Sequence, residues 1–237
     1  MQYYKLNKNT IHVYLTCQAN VLCLCSFVEL RRQWFEVGDE IPGLGQVRFR
    51  LLVVAPMLGL NELFGTPLSE EQLQPLAAAL GSDVPFFLQT KPALATGRGE
   101  TVLPLEPFPA LRGQAFLLIH PGFGIATAWA YRELARFPAA RQGTPGRAQQ
   151  LIARLRTDDL RAAGTGFYNS LEAPALAKYP VLEMFQEFLR NGGAEVALMS
   201  GSGSTTFAIL RDADSASGLA EKFQAKFGAC WTAVVPG

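Results

Sequence analysis

Apolar residues recur at helical spacing most clearly between residues 69 and 80. The positions at i, i+3, i+4 and i+7 are Leu73, Leu76, Ala77 and Leu80, which predicts a helix with one buried face. Ser69 with Gln72 three residues later predicts a capping box at its start. Pro75 interrupts the pattern and predicts a kink or a delayed start. Gly81 is the expected left-handed end of this helix.

An acidic residue follows, at the point where the pattern changes. Val84–Leu88 is an apolar run with aromatic residues, which predicts a buried strand. Asp83 would then lie where a helix ends and a strand begins, and an unpaired carboxylate there costs free energy. Two interpretations stay open: a turn or capping aspartate, and a functional carboxylate.

The second half of the chain alternates strand and helix patterns. It opens on the apolar strand Phe116–Ile119, and the glycines of Gly97–Glu100 predict a hairpin turn before it. Thr127 is the predicted cap of the helix that follows this strand. Later helices are predicted at Arg147–Leu155, Pro180–Arg190 and Asp214–Phe227, and later strands at Val196–Met199, Thr205–Leu210 and Cys230–Val235. This order predicts a ferredoxin-like α+β layer.

Three prolines, Pro104, Pro107 and Pro109, predict a domain junction, which gives domains at 1–105 and 106–237. Residues 1–55 are atypical. Their apolar segment 11–30 has some features of a signal peptide, but polar residues interrupt it and no cleavage pattern follows cleanly. Short strands are the favoured interpretation there, at Ile11–Leu15, Val21–Cys25 and Trp34–Val37.

Composition and charge narrow the function classes. The chain has 237 residues, 49% hydrophobic and 17% charged, with a formal net charge of +1. A net charge this close to zero does not indicate a surface that binds nucleic acid or a membrane, and it suits a small-molecule substrate. The four cysteines lack zinc or redox spacing, so we expect a reduced, cytoplasmic compartment and no protein metal site.

Several motifs in order carry a family resemblance. Leu80–Phe87, followed by Ala95–Glu100, looks like the catalytic-aspartate segment of the GHMP small-molecule kinases. Further matches are Asn61–Gly65, His120–Gly122, Asn169–Glu172 and Met199–Ser204. The resemblance covers roughly three quarters of the chain, and the motifs together are far more specific than any one alone. It implies a two-domain α+β fold with a ribosomal S5 domain 2-like N-terminal half and a ferredoxin-like C-terminal half.

The resemblance also implies an activity, with a nucleotide cleft between the two halves. The resemblance is strongest to family members of non-mevalonate isoprenoid synthesis, which transfer the γ-phosphoryl of ATP to the 2-hydroxyl of 4-diphosphocytidyl-2-C-methyl-D-erythritol. This substrate is a cytidyl sugar-alcohol diphosphate. Asp83 would be the base, Gly201, Ser202, Gly203 and Ser204 would bind phosphate, and Thr127 and Tyr131 would face the cytidine. Mg²⁺ would arrive with ATP, and the protein would be a monomer or weak homodimer. His120 is expected to be structural.

Without the resemblance, two of these sites have plainer interpretations. Tyr131 fits equally well as a half-buried aromatic residue on an amphipathic helix. Gly201–Ser204 also reads as a flexible serine-glycine hairpin turn, although its flanking residues favour the phosphate-binding interpretation.

The N-terminal quarter departs from the family pattern. The usual nucleotide loop, Pro-x-x-x-Gly-Leu-Gly-Gly-Gly-Ser-Ser, is reduced to Pro42-Gly43-Leu44-Gly45, and bulky residues follow it. Gly43 and Gly45 are therefore either a remnant of the nucleotide loop or a plain turn. Lys5, in Lys5-Leu6-Asn7, matches a catalytic lysine of the family. The alternative interpretation of Lys5 is a solvated surface lysine.

Three hypotheses follow. The chain is a working kinase with a divergent N-terminus, another GHMP kinase acting on a different alcohol, or the same fold without turnover. The last would be a binding or regulatory relic, or a translation whose first quarter is out of frame.

Overall fold

The structure, a computed structural model, describes the backbone of residues 12–14 and residues 54, 56–81, 84–88, 91–97, 99, 101–142, 145–228 and 230–237. The chain divides into two compact units, and the division along this part of the chain falls between Pro107 and Phe108. The predicted strands Val21–Cys25 and Trp34–Val37 lie outside the described residues.

The N-terminal unit contains two helical segments joined by a fixed turn. A helix at 56–63 is followed by a turn at Gly65, which has a positive φ of 80°. The side chain of Asn61 then accepts from Leu68 N at 3.1 Å and donates to Leu68 O at 2.9 Å. Helix α1 (Glu70–Leu80) follows, and its capping box between Ser69 and Gln72 is confirmed.

Two local predictions around α1 are wrong. Gly81 ends the helix, but at φ 168° it is extended rather than left-handed, and its N–H donates to Ala77 O. The apolar run after it forms a 3₁₀ turn, Pro85–Leu88, in place of a strand. Burial of Val84 and Phe86 is nevertheless as expected, at 2% and 4% exposed. Of the predicted buried face of α1, Leu73 and Ala77 are buried while Leu76 and Leu80 are half exposed.

A small antiparallel sheet completes the described part of this unit. Its order is β1 (His12–Tyr14), β2 (Ala93–Thr96) and β3 (Thr101–Pro104). The β2–β3 pair confirms the hairpin predicted around Gly97–Glu100. β1 confirms the middle of the first N-terminal strand and pairs His12 with Ala95.

The C-terminal unit is built on an antiparallel sheet of four strands. They are β4 (Ala115–His120), β5 (Val196–Met199), β6 (Thr206–Leu210) and β7 (Trp231–Pro236), in the spatial order β5-β6-β4-β7. The helices between them complete a β-α(n)-β-β-α-β order. This confirms the ferredoxin-like layer, since the first and third strands of the repeat lie side by side at its centre.

The helices of this unit carry the core that covers the sheet. They are α2 (Thr127–Leu134), α3 (Pro138–Gln142), α4 (Arg147–Leu155), α5 (Leu160–Gly164), α6 (Glu172–Lys178), α7 (Val181–Asn191) and α8 (Ala213–Phe227). Leu182 and Leu189 of α7 and Phe223 of α8 are fully buried. Phe185 packs edge-on against Phe223, with ring centroids 4.8 Å apart. No helix among the described residues is long and apolar enough to cross a membrane.

Candidate functional site

The loop between β5 and β6 is a tight turn that requires glycine. Ser200 N donates to Thr205 O at 2.8 Å, and Gly203 N donates to Ser200 O at 3.0 Å. Gly201 and Gly203 have φ values of 56° and 89°, which L side chains rarely adopt. A Cβ on Gly203 would lie 2.5 Å from Met199 Sδ and 2.9 Å from Ile125 Cδ1. Both the backbone conformation and the packing therefore select glycine at position 203.

Hydroxyl groups join this loop to the start of α2. Thr127 Oγ1 and Ser202 Oγ lie 3.0 Å apart and share a hydrogen bond. Ser204 Oγ donates to Phe123 O, and Ser204 is 1% exposed. The structure thus brings together Thr127 and the Gly201–Ser204 loop, two parts of the predicted site that are 75 residues apart in sequence.

Thr127 does not have the capping role that its sequence position suggests. It is the first residue of α2, and the N-cap is Ala126, which makes no side-chain capping bond. The hydroxyl of Thr127 is instead directed to Ser202. Tyr131, one helical turn later, is half-buried and packs against the core.

Two side chains at the start of α6, Asn169 in the preceding turn and Glu172 as the first helical residue, hold the other side of the loop. Asn169 Nδ2 donates to Met199 O and to Gly201 O, each at 2.8 Å. Glu172 Oε1 accepts from Met199 N at 2.6 Å. The end of β5 is therefore held through both the N–H and the C=O of Met199, directly before the loop that contains Gly201.

Glu172 is a carboxylate with an unusual environment. Burial raises the pKa of Glu172, while the bonds from Met199 N and Gln186 and the charge of Arg190 favour the ionised form and lower this pKa. Arg190 Nη1 also donates to Ala197 O at 3.1 Å. Glu172 and Arg190 thus both brace β5.

The amide groups of the loop suit an anionic ligand. Gly201 is exposed, and Ser202 and Gly203 are half-buried. Among the described residues, none accepts a hydrogen bond from the amides of Gly201, Ser202 or Ser204. Backbone amides in a loop with glycines at positive φ can converge on phosphate oxygens. The loop therefore has the features of an anion-binding turn.

His120 and its neighbours are structural, as expected. His120 is 5% exposed, and its Nδ1 accepts from Gly122 N at 3.1 Å. Burial lowers the pKa of His120, so the neutral imidazole is favoured. The bond to Gly122 fixes the chain as it leaves β4 and turns toward Phe123 and Thr127.

An aromatic cluster lies beside the same segment. The rings of Phe123 and Tyr179 are 5.0 Å apart, and those of Trp129 and Tyr179 are 6.3 Å apart. Lys178 Nζ lies 4.3 Å from the centroid of the Trp129 ring, within the range of a cation–π contact.

Four of the predicted site residues, Lys5, Gly43, Gly45 and Asp83, lie outside the described residues. Of the described residues on either side of position 83, Val84 N donates to Gly81 O at 3.0 Å. Within the described part of the chain, no group of three His, Cys, Asp or Glu side chains is placed to hold a metal ion.

Sequence reasoning missed the roles of Asn169 and Glu172. In the sequence, the motif Asn169–Glu172 is informative only as part of the family resemblance. The available signal was its position, because Asn169 and Glu172 flank the start of a helix and an Asn there often caps the turn. Their partners lie about 30 residues away, and no local pattern shows them.

Comparison with known proteins identifies a domain and several similar kinases. Residues 139–229 match the model of the family described as GHMP kinases C terminal. The chain is 39% identical over 168 residues to the 4-diphosphocytidyl-2-C-methyl-D-erythritol kinase of Synechococcus sp. (strain JA-3-3Ab), covering 69% of this chain and 53% of that protein. It is also 39% identical over 165 residues to the kinase of the same name from Treponema pallidum (strain Nichols), covering 67% and 55%. The chain thus spans about half the length of the curated relatives it matches.

Solved structures show the same fold. A crystal structure of 4-(cytidine 5'-diphospho)-2C-methyl-D-erythritol kinase matches with a TM-score of 0.59 and 28% identity, over 79% of this chain and 65% of that one. Homoserine kinase from Cytophaga hutchinsonii matches with a TM-score of 0.60 and 21% identity, over 78% and 63%, which shows the fold alone. The match to the family model shows a GHMP kinase C-terminal domain at residues 139–229, and the chain is similar to kinases of that family in sequence and in fold.

Proposed function

We propose that this chain transfers the γ-phosphoryl group of ATP to the 2-hydroxyl of 4-diphosphocytidyl-2-C-methyl-D-erythritol. The names of the relatives in both comparisons support the reaction. The single observation that carries it is the loop Gly201–Ser204, in which the amides of Gly201 and Ser202 donate to no described acceptor and Ser202 is joined to Thr127. We also propose domains at 1–105 and 106–237.

Each residue of the site has a physical role in such a transfer. ATP supplies the phosphoryl group when bound, with Mg²⁺ accompanying its phosphates. The amides of Gly201 and Ser202 hold phosphate oxygens, and the turn, anchored by the buried Ser204, orients them before the ligand arrives. Asp83 accepts the proton of the substrate hydroxyl, and Lys5 offsets the developing charge. Gly43 and Gly45 contribute further backbone contacts to the nucleotide.

The substrate end of the site is assigned to α2. Thr127 and Tyr131 lie one helical turn apart, so both side chains are on the same face of the helix. Tyr131 offers an aromatic surface on which a cytosine ring can stack. Thr127 links this face to the phosphate-binding loop through Ser202.

A second candidate is the same fold binding its ligands without turnover. Gln46, Val47 and Arg48 follow Gly45, where a glycine-rich phosphate loop requires small residues. A chain with one intact phosphate loop and one altered loop would bind a nucleotide weakly and transfer nothing.

The experiment separates these candidates in two steps. First, a calorimetric titration of the full chain with ATP and Mg²⁺ tests whether binding is saturable. Release of ADP is then measured with the cytidyl substrate, homoserine or mevalonate as the alcohol. Binding with ADP release only on the cytidyl substrate supports the proposal. Binding without release supports the second candidate, and release on another alcohol assigns a different substrate.

A further inference from the structure

The edge of the C-terminal sheet has backbone groups that its neighbouring strand does not use. β5 is the end strand of the order β5-β6-β4-β7. Ser200 N donates to Thr205 O, so Ser200 and Thr205 form a hydrogen-bonded pair of the antiparallel ladder. In such a ladder, the residue on either side of a hydrogen-bonded position points its N–H and C=O away from the partner strand. Both backbone groups of Met199 therefore face off the edge of the sheet, directly before the phosphate-binding loop.

Side chains of the segment Asn169–Glu172 form hydrogen bonds with both of these backbone groups. Glu172 Oε1 accepts from Met199 N, and Asn169 Nδ2 donates to Met199 O and Gly201 O. An amide nitrogen has two hydrogens to donate, and here the two carbonyls take both. Because these carbonyls flank Ser200, the Asn169 side chain fixes the path of the chain where strand becomes loop.

Asn169 is itself held in place by its own turn. Its Oδ1 accepts from Leu171 N at 3.0 Å, and Glu172 N donates to Asn169 O at 3.1 Å. The side chain thus has one end anchored at the start of α6 and the other on the loop. A residue that only capped the helix would use Oδ1 and leave Nδ2 to solvent.

We propose that Asn169 is a positioning residue for nucleotide binding: it holds Met199–Gly201 so that the loop amides are oriented for phosphate before ATP arrives. The nucleotide-binding part of this inference rests on the proposed function. Glu172 assists by holding the N–H of Met199. Asn169 touches no reacting atom in this account, so its effect passes through the loop.

Asn169→Asp distinguishes the role of Nδ2, which bonds to the loop, from that of Oδ1, which bonds to Leu171 N. A carboxylate keeps the acceptor for Leu171 N, but it has no hydrogen to donate and places negative charge beside two carbonyl oxygens. The matched control is Asp159→Ala, which removes the side-chain cap of α5 (Asp159 Oδ1 to Ala162 N, 2.9 Å) away from the loop. Asn169→Ala, which loses both ends, gives a second comparison.

The experiment measures MgATP affinity by calorimetry and amide exchange of the peptide covering residues 199–204 in the full chain. We expect Asn169→Asp to weaken MgATP binding about tenfold, since two hydrogen bonds are lost. We also expect the hydrogen-bonded amides of this peptide, those of Met199, Ser200 and Gly203, to exchange about tenfold faster. Asp159→Ala should lower the thermal stability and leave both quantities as in wild type.

The two proposals fail separately. If wild type does not bind MgATP, the proposed function is overturned, and amide exchange still decides whether Asn169 holds the loop. Unchanged exchange in Asn169→Asp overturns the positioning role. So does faster exchange with wild-type MgATP affinity, because the loop conformation would then not matter for the nucleotide. If Asn169→Asp is unfolded, Asn169→Ala and Asn169→Ser are measured instead, with the same criteria.

Discussion

Gly203 of the loop allows a sharp test, because Gly201 provides a control two residues away. Alanine at either position places a side chain at positive φ, which costs roughly 1–2 kcal/mol. Only at Gly203 does the added Cβ meet neighbours, Met199 Sδ at 2.5 Å and Ile125 Cδ1 at 2.9 Å; at Gly201 nothing lies within 4 Å. Overpacking of this kind costs typically 1–3 kcal/mol.

The conformational cost is similar in the two variants, so their difference isolates the steric cost. We expect Gly203→Ala to be less stable than Gly201→Ala by about 1–3 kcal/mol. Urea denaturation of the full chain, followed by far-ultraviolet circular dichroism, measures both free energies of unfolding. MgATP affinity of Gly203→Ala should also fall, since the loop must shift to admit the methyl group. Equal losses of stability in the two variants would refute the packing described at Gly203.

Three further predictions concern ionisable groups. Asp83→Asn should lower kcat by about 10²–10⁴ with little change in MgATP affinity, because a general base acts on the reacting proton only; a small loss of kcat would remove Asp83 from that role. The pKa of His120 is lowered from its ordinary 6.5 by burial, so wild type should lose stability as pH falls below about 6.5 toward the lowered folded value. His120→Gln should flatten that part of a pH series of urea denaturations, and an unchanged slope would contradict a buried neutral imidazole. The pKa of Glu172 is raised above its ordinary 4.5, chiefly by burial, so stability should fall as pH rises from 4.5 through the folded value. Glu172→Gln should remove that decline in the same series, and a wild-type decline in the variant would show that another group causes it.

The local parts of the fold were predictable from the sequence. The capping box at Ser69 and Gln72 needs only residues within one turn, and the structure contains it. The strand β4 was evident because Phe116–Ile119 is an uninterrupted apolar run, and the structure buries all of it except Leu118, which is half-buried. The ferredoxin-like order followed from the alternation of such segments, since short connections leave few arrangements.

Predictions failed where one pattern fits two structures. The run Val84–Leu88 is buried as expected, yet it forms a 3₁₀ turn, and an apolar run of this length does not distinguish the two. Gly81 was expected in the left-handed region because glycine commonly ends helices that way, but glycine is equally permitted in the extended backbone found here.

The site was predictable only in part, because its partners are distant in sequence. Thr127 looked like a helix cap, and the structure gives its hydroxyl to Ser202 instead. Asn169 holds carbonyls 30 and 32 residues away, so its role follows from tertiary structure alone. The glycines at 201 and 203 were recognised as a loop, but the packing of Met199 and Ile125 against Gly203 was not.

The most direct test of the account is the product of the reaction. The full chain is incubated with ATP, Mg²⁺ and 4-diphosphocytidyl-2-C-methyl-D-erythritol, with Asp83→Asn as the matched blank, and the mixture is followed by ³¹P nuclear magnetic resonance. We predict a new phosphomonoester resonance, coupled to the carbon that bears the 2-hydroxyl, which grows with ADP and is absent from the blank. Unchanged ATP and substrate in a sample that binds MgATP would contradict the account.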